Sequence, residues 1–196
     1  RGEVDVDPLL AHVMRVGDLP GPRMIRDKRV TMTLRKLPIC TATVVAITTL
    51  LTVLQFRRPE IRLALWRDPE ELHAGQWWRL LTALSVQYDP TWMIIVVLVL
   101  ITGVGILAER LFGHVVWLLI YLGCGVVGQA FGWLWLPYTN DAGASVAGAG
   151  LLGAVCAWLL SPAAPRLARL WIWAIVWLLV GVVLTAVRDM HGPPLL

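Results

Sequence analysis

Along this chain, long runs without a charged residue alternate with short polar stretches. The first run, residues 37–56, is rich in Val, Thr and Leu and ends at Arg57 and Arg58. It has the length of a membrane-crossing helix, for which about 20 apolar residues suffice. The runs at 91–108, 113–133, 143–160 and 170–187 repeat the pattern, and residues 191 to the end open a sixth. Glu109 and Arg110 close the second run, Pro137 and Asn140 mark the turn after the third, and Ser161, Pro162 and Pro165 break the fourth. Residues 1–36 form a polar lead, and residues 57–90 a long charged connection. In that connection Trp77, Leu80, Leu81 and Leu84 recur at helical spacing, so the pattern predicts an amphipathic piece lying in the membrane interface rather than crossing it. The fold class expected is an all-α polytopic membrane protein. Its N-terminal segment is 1–36 and its transmembrane domain 37–196, with the sixth helix cut short. The chain starts without Met and stops just after a new element begins, which reads as a fragment.

Composition agrees. Of the 196 residues 58% are hydrophobic and 15% charged, against about 25% charged in soluble domains. The 11 Trp, against 3 Phe and 3 Tyr, suit interfacial anchoring, and Trp171, Trp173 and Trp177 read as anchors. The net charge of +4 does not point to nucleic acid, because the basic residues are scattered over the membrane flanks. Cys40, Cys124 and Cys156 sit inside apolar runs as small hydrophobes, and no metal-ligand or cofactor cluster is visible. Gly123, Gly125, Gly128 and Gly132 crowd the third span and are expected at helix-packing sites. With alternating spans, Lys and Arg favour the side that carries the polar lead, so the N-terminus is expected in the cytoplasm. Nothing sets an oligomeric state.

The fourth span begins Gly143-Ala-Ser145 among Gly and Ala. Small residues let helices approach closely, so this stretch reads either as a packing surface or as a tight site holding one hydroxyl. Alternation puts Ser145 at the outer end of its span, and His191, opening the sixth, at the same face. A serine needs a base, and histidine is the usual one near neutral pH. His12 and His114 fall on the inner side and His73 in the polar part of the loop, which leaves His191 as the better partner. An interfacial histidine reaching for water is the alternative. Free N–H groups at the start of the fourth span, around Gly143 and Ala144, could stabilise an oxyanion.

The order Gly75-Gln-Trp-Trp-Arg-Leu-Leu-Thr82, Glu109-Arg-Leu-Phe-Gly113, Gly143-Ala-Ser145 with Gly150-Leu-Leu-Gly153, then His191, resembles the rhomboid family of intramembrane serine proteases. The resemblance covers roughly residues 70–194. It implies a six-transmembrane-helix bundle and cleavage of transmembrane protein substrates near their outer ends through an acyl-enzyme, without metal or cofactor. It also implies Ser145 as nucleophile, His191 as general base, Trp78 and Arg79 as interface anchors of the first loop, and Glu109 and Arg110 as structural residues. It implies an integral protein of the bilayer, expected in a bacterial plasma membrane.

Departures from the family pattern surround this pair. Val146 stands where Gly usually follows the serine, Ala149 where an aromatic usually packs on the histidine, and Pro194 where Gly often follows it. The second span, Trp92-Met-Ile-Ile-Val-Val-Leu-Val99, has neither the His nor the Asn that usually donate to the oxyanion. Gln87, Tyr88 and Asn140 are the outer-loop residues that could substitute. The rival expectation is an inert relative that binds transmembrane client helices. A transporter would carry charged or broken-helix sites at mid-membrane, and this chain shows none.

Overall fold

The computed structural model describes residues 37–88, 90–164 and 168–196. The polar lead 1–36 lies outside the described residues. The described chain forms α1 (Ile39–Arg57), α2 (Pro59–Leu65), α3 (Pro69–His73), α4 (Arg79–Thr82), a 3-10 turn (Ala83–Ser85), α5 (Thr91–Phe112), α6 (His114–Trp135), α7 (Ser145–Leu160), α8 (Ala168–Ala186) and α9 (Gly192–Leu195). Four of these, α1, α5, α6 and α8, are long and apolar enough to cross a membrane. Of the sixth helix, expected to be cut short, this sequence holds the turn α9.

α7 is the central helix, packed against α5, α6, α8 and α9. Val146, Ala147, Leu151, Val155 and Cys156 on it are fully buried. The charge-free run predicted a full crossing here, but the helix has only 16 residues. At 1.5 Å per residue it is about 24 Å long, short of a ~30 Å hydrocarbon core. The chain before it is irregular backbone, which at membrane depth must be satisfied by protein. Gly143 N–H donates to Ala83 O, and Ala142 N–H to Asp141 Oδ1. Asp141 and Arg67 exchange both backbone bonds as an isolated bridge.

The amphipathic piece expected at 70–84 is divided. Asp68 accepts from Glu70 N–H and Glu71 N–H to start α3, and Gly75, at φ +93, stops the chain from continuing as helix. A second short helix, α4, then follows. Arg79, expected to reach the membrane interface, turns inward instead. Its guanidinium donates to Gln76 Oε1, Leu63 O and Trp66 O, because the folded loop leaves carbonyls there that need donors. Trp78 is exposed.

α5 does not end at Glu109 but runs on to Phe112, with Glu109 buried. Its carboxylate caps another helix. α1 begins after Pro38, which offers no side-chain cap, and Glu109 accepts from Cys40 N–H (2.8 Å), Thr41 N–H (2.7 Å) and Thr41 Oγ–H (2.6 Å). His114 Nδ1 donates to the same carboxylate at 2.6 Å. The free N–H groups at a helix start and the positive end of its dipole both favour this anion. Gly105 allows the approach, since a Cβ there would lie 2.8 Å from Thr41 Cγ2. α1 accordingly buries Thr41, Thr48, Thr52 and Gln55, while Ile47, Leu50 and Val53 on it are exposed. A polar face turned inward and an apolar face outward is the pattern of a helix solvated by lipid.

Glu109→Ala strips several donors of a charged, buried acceptor. It is expected to destabilise the fold by about 2–4 kcal/mol, with His114→Ala costing less. Thermal unfolding in detergent micelles checks this, and an unchanged Tm for Glu109→Ala would remove the cap from the account.

Candidate active site

Ser145 is the first residue of α7, and the preceding Ala144 supplies no side-chain cap. The Ser145 N–H therefore has no partner within the helix. Ser145 Oγ lies 2.8 Å from His191 Nε2. On the other side of the ring, His191 Nδ1 lies 2.7 Å from Asp189 Oδ1, which also accepts the His191 backbone N–H at 2.8 Å. An ionised carboxylate can only accept, so the ring proton sits on Nδ1 and Nε2 is free to accept from the serine hydroxyl.

Glycines hold the two residues together. A Cβ on Gly128 of α6 would meet Pro194 Cγ at 2.8 Å and Met190 O at 3.1 Å. On α7, a Cβ on Gly153 would collide with the Leu195 backbone, while one on Gly150 would collide with Cys124 of α6 and only touch Pro194 O, at 3.5 Å. The segment carrying His191 thus lies backbone-close along the small-residue faces of α6 and α7. Gly125 and Gly132 are likewise packed, against Leu84 and Ala147 and against Arg67 and Met190, but Gly123, expected at a packing site, faces open space.

From Ser145 a cavity of about 320 Å³ runs between α5, α7 and α8. Val97, Ile101, Ala149 and Leu152 line it, and His191 is its one ionisable lining residue among those described. Trp173 and Trp177, read as interface anchors, also line it. Where α5 meets the cavity it offers no hydrogen-bond donor side chain.

The outer-loop candidates separate. Gln87 is 1% exposed, and neither its Oε1 nor its Nε2 has a hydrogen-bond partner. Gln55 on α1 clamps its backbone, donating to Gln87 O at 2.9 Å and accepting from Gln87 N–H at 3.2 Å. A Cβ on Gly143 would lie 3.3 Å from Ser145 Oγ and 3.5 Å from Gln87 Oε1, so both side chains border the same small residue. Asn140 lines surface pockets with Tyr138 instead, and Tyr88 is exposed and tilted against Trp66. Gly143 N–H is spent on Ala83 O and is not a free donor. His73 packs edge-on to Trp133, 5.4 Å between centroids.

Two groups near the site carried no signal in sequence. Asp189 reads there as a cap of the fifth span. Arg67 reads as one more loop charge, yet it is fully buried. It donates to Gln129 O, Gln129 Oε1 and Thr139 O, contacts Met190 Sδ at 3.6 Å, and pairs with Asp141 at 3.6 Å. Burial lowers its pKa, and Asp141 opposes that shift. Arg67 ties the first loop, α6 and the turn before His191 into one piece.

The fold also gathers Cys40, Glu109 and His114, with potential ligand atoms within 4.8 Å of one another. The spacing in sequence hides this trio, which lies at the far end of α6 from Ser145. The Glu109 carboxylate there is already engaged by the start of α1.

These features define an integral membrane protein of helices, with a serine and a histidine paired at the start of a short central helix. A sequence model of the Rhomboid domain matches residues 74–191, and the chain belongs to the rhomboid family. It is similar to the rhomboid protease GluP of Bacillus subtilis, 40% identical over 81 residues, which cover 41% of this chain and 16% of that protein. The chain therefore matches only a small part of its relative's length.

Gly153→Val should displace Leu195 and with it His191. A shift of about 1 Å at a reacting group costs ~10²-fold in rate. The reaction of Ser145 with a fluorophosphonate is expected to slow by about that factor while helical circular dichroism is kept. An unchanged rate would show that the close approach at Gly153 does not position the histidine.

Proposed function

We propose that this protein is an intramembrane serine endopeptidase that cuts transmembrane protein substrates near the outer face, with Ser145 as nucleophile and His191 as general base. The observation that carries the reading is the 2.8 Å contact between Ser145 Oγ and His191 Nε2 in a chain of the rhomboid family. The named activity of the Bacillus relative supports it, as does its bacterial source for a plasma membrane location. The Lys and Arg bias supports a cytoplasmic N-terminus.

In this mechanism Ser145 Oγ attacks the scissile carbonyl carbon as His191 Nε2 takes the hydroxyl proton. The tetrahedral oxyanion forms near the start of α7, where the Ser145 N–H is free to donate. Gln87 supplies a second donor once its side-chain amide turns Nε2 toward Gly143. Its unpartnered, buried amide supports that role, because an unsatisfied polar group costs stability that a reacting oxyanion would return. Collapse breaks the C–N bond, and the imidazolium protonates the leaving amine. Water, activated by the same histidine, then hydrolyses the serine ester. The short α7 supports entry of that water from one face. The apolar cavity between α5 and α8 suits the side chains of an unwinding substrate helix.

The second reading is an inert relative that holds client helices. The apolar face that α5 turns to the cavity favours it, because it lacks side-chain donors. Labelling by a fluorophosphonate separates the two. The enzyme reading expects a covalent adduct on Ser145, lost in Ser145→Ala and slowed at least ~10²-fold in His191→Ala. Gln87→Ala should slow it about 10²-fold or somewhat less, as removal of an oxyanion donor does elsewhere. Folded protein that binds a transmembrane peptide but never forms the adduct would decide for the inert reading.

A further inference from the structure

We propose that Asp189 is a positioning residue for His191, extending the serine–histidine pair to a chain of three. The proposal rests on the serine-protease reading above. Its basis is the turn that ends α8. Arg188 adopts φ 60, the left-handed conformation that usually falls to glycine. Asp189 N–H donates back to Leu184 O at 2.8 Å and Arg188 N–H to Thr185 O at 3.1 Å. These are the paired bonds of a Schellman cap. The cap fixes Asp189 relative to α8, and Asp189 Oδ1 then takes both the backbone N–H and the Nδ1–H of His191. Gly192 seals the turn, because a Cβ there would run into the Thr185 backbone. A non-glycine residue held at positive φ beside a reacting group is strain retained by its surroundings.

The chain has a physical need for such a residue. Ala149 offers the imidazole no ring to stack on, and the cavity lining beside it is apolar. Asp189 is the group that meets Nδ1, so it sets the tautomer and holds the side of the ring turned away from Ser145. With it, the proton is held on Nδ1, and Nε2 faces Ser145 as the acceptor. When Nε2 takes the serine proton, the imidazolium keeps Nδ1–H and is stabilised by the carboxylate. No proton passes to Asp189, and the one on Nε2 leaves with the amine.

Among the described residues few other charges face this ring. Arg188 adjoins Asp189 in sequence and is exposed. Arg67 approaches only through Met190 and is paired with Asp141. Across the cavity α5 and α8 contribute Val97, Ile101, Trp173 and Trp177, none of which titrates. Among the described residues Asp189 is therefore the carboxylate that holds the His191 ring. Its side chain is 41% exposed, so water screens part of its effect. A loss near 10²-fold is expected on its removal, below the ~10⁴-fold seen where such an aspartate is buried.

The test is the rate of fluorophosphonate labelling of the protein in detergent micelles over roughly pH 5 to 9, for wild type, Asp189→Asn and Asp189→Glu. Asp189→Asn should lower the limiting rate about 10²-fold with little change in the half-saturating probe concentration. The loss should persist across that range, because an amide can donate to Nδ1 and so leave the ring proton on Nε2, facing Ser145. Asp189→Glu, which keeps the charge, should recover much of the rate. An Asp189→Asn variant with wild-type rate and profile overturns the proposal and leaves the serine-protease reading standing. So does a loss that tracks a lowered Tm and is not relieved by Asp189→Glu. A wild type that never labels overturns both.

Discussion

The site depends on the close passage of one short piece of backbone over glycine. The segment from Met190 to Leu195 runs along Gly128 of α6 and Gly153 of α7, where a side chain would crowd it, while Gly150 lets α7 close on Cys124 of α6. Inside a bilayer apolar burial does not draw helices together, and close van der Waals packing takes its place. That packing puts His191 over Ser145. The catalytic reading therefore has its origin in residues with no chemistry of their own.

Around this contact the bundle is held by polar groups in unusual places. Glu109 serves the start of a helix that follows a proline and has no cap of its own. Arg67 draws together the first loop, α6, the 139–141 turn and Met190. Both are charged and buried, and each is tolerable because its carboxylate or guanidinium has several partners. Arg67 also meets the histidine segment through Met190, so the first loop and the site share one support.

Much of this was legible in sequence. Charge-free runs locate the long helices, because a bilayer imposes their length and composition. Strict alternation of crossings brings Ser145 and His191, far apart in the chain, to one face, and the structure places them in contact. Gln87 stood among the substitutes for the missing second-span donors, and its amide borders Gly143 beside Ser145. The rest depends on three-dimensional pairing that no local pattern encodes. Glu109 reads as the polar end of a span, since its partners Cys40 and Thr41 lie in another helix. Arg67 looks like any loop arginine. Asn140 shares a loop with Asp141 but faces outward. The start of α7 was hidden because its charge-free run continues back through residues that fold as loop.

The central claim is that the hydroxyl of Ser145, activated by His191, breaks a peptide bond within the membrane. The most direct test reconstitutes the protein in liposomes with a panel of single-span substrates carrying helix-destabilising residues near their outer ends. Ser145→Ala and His191→Ala are run alongside. The account predicts a product cut near the outer end of the substrate helix, formed by the wild type and by neither variant. Cleavage that persists in Ser145→Ala, or substrates bound by the wild type and never cut, would contradict it.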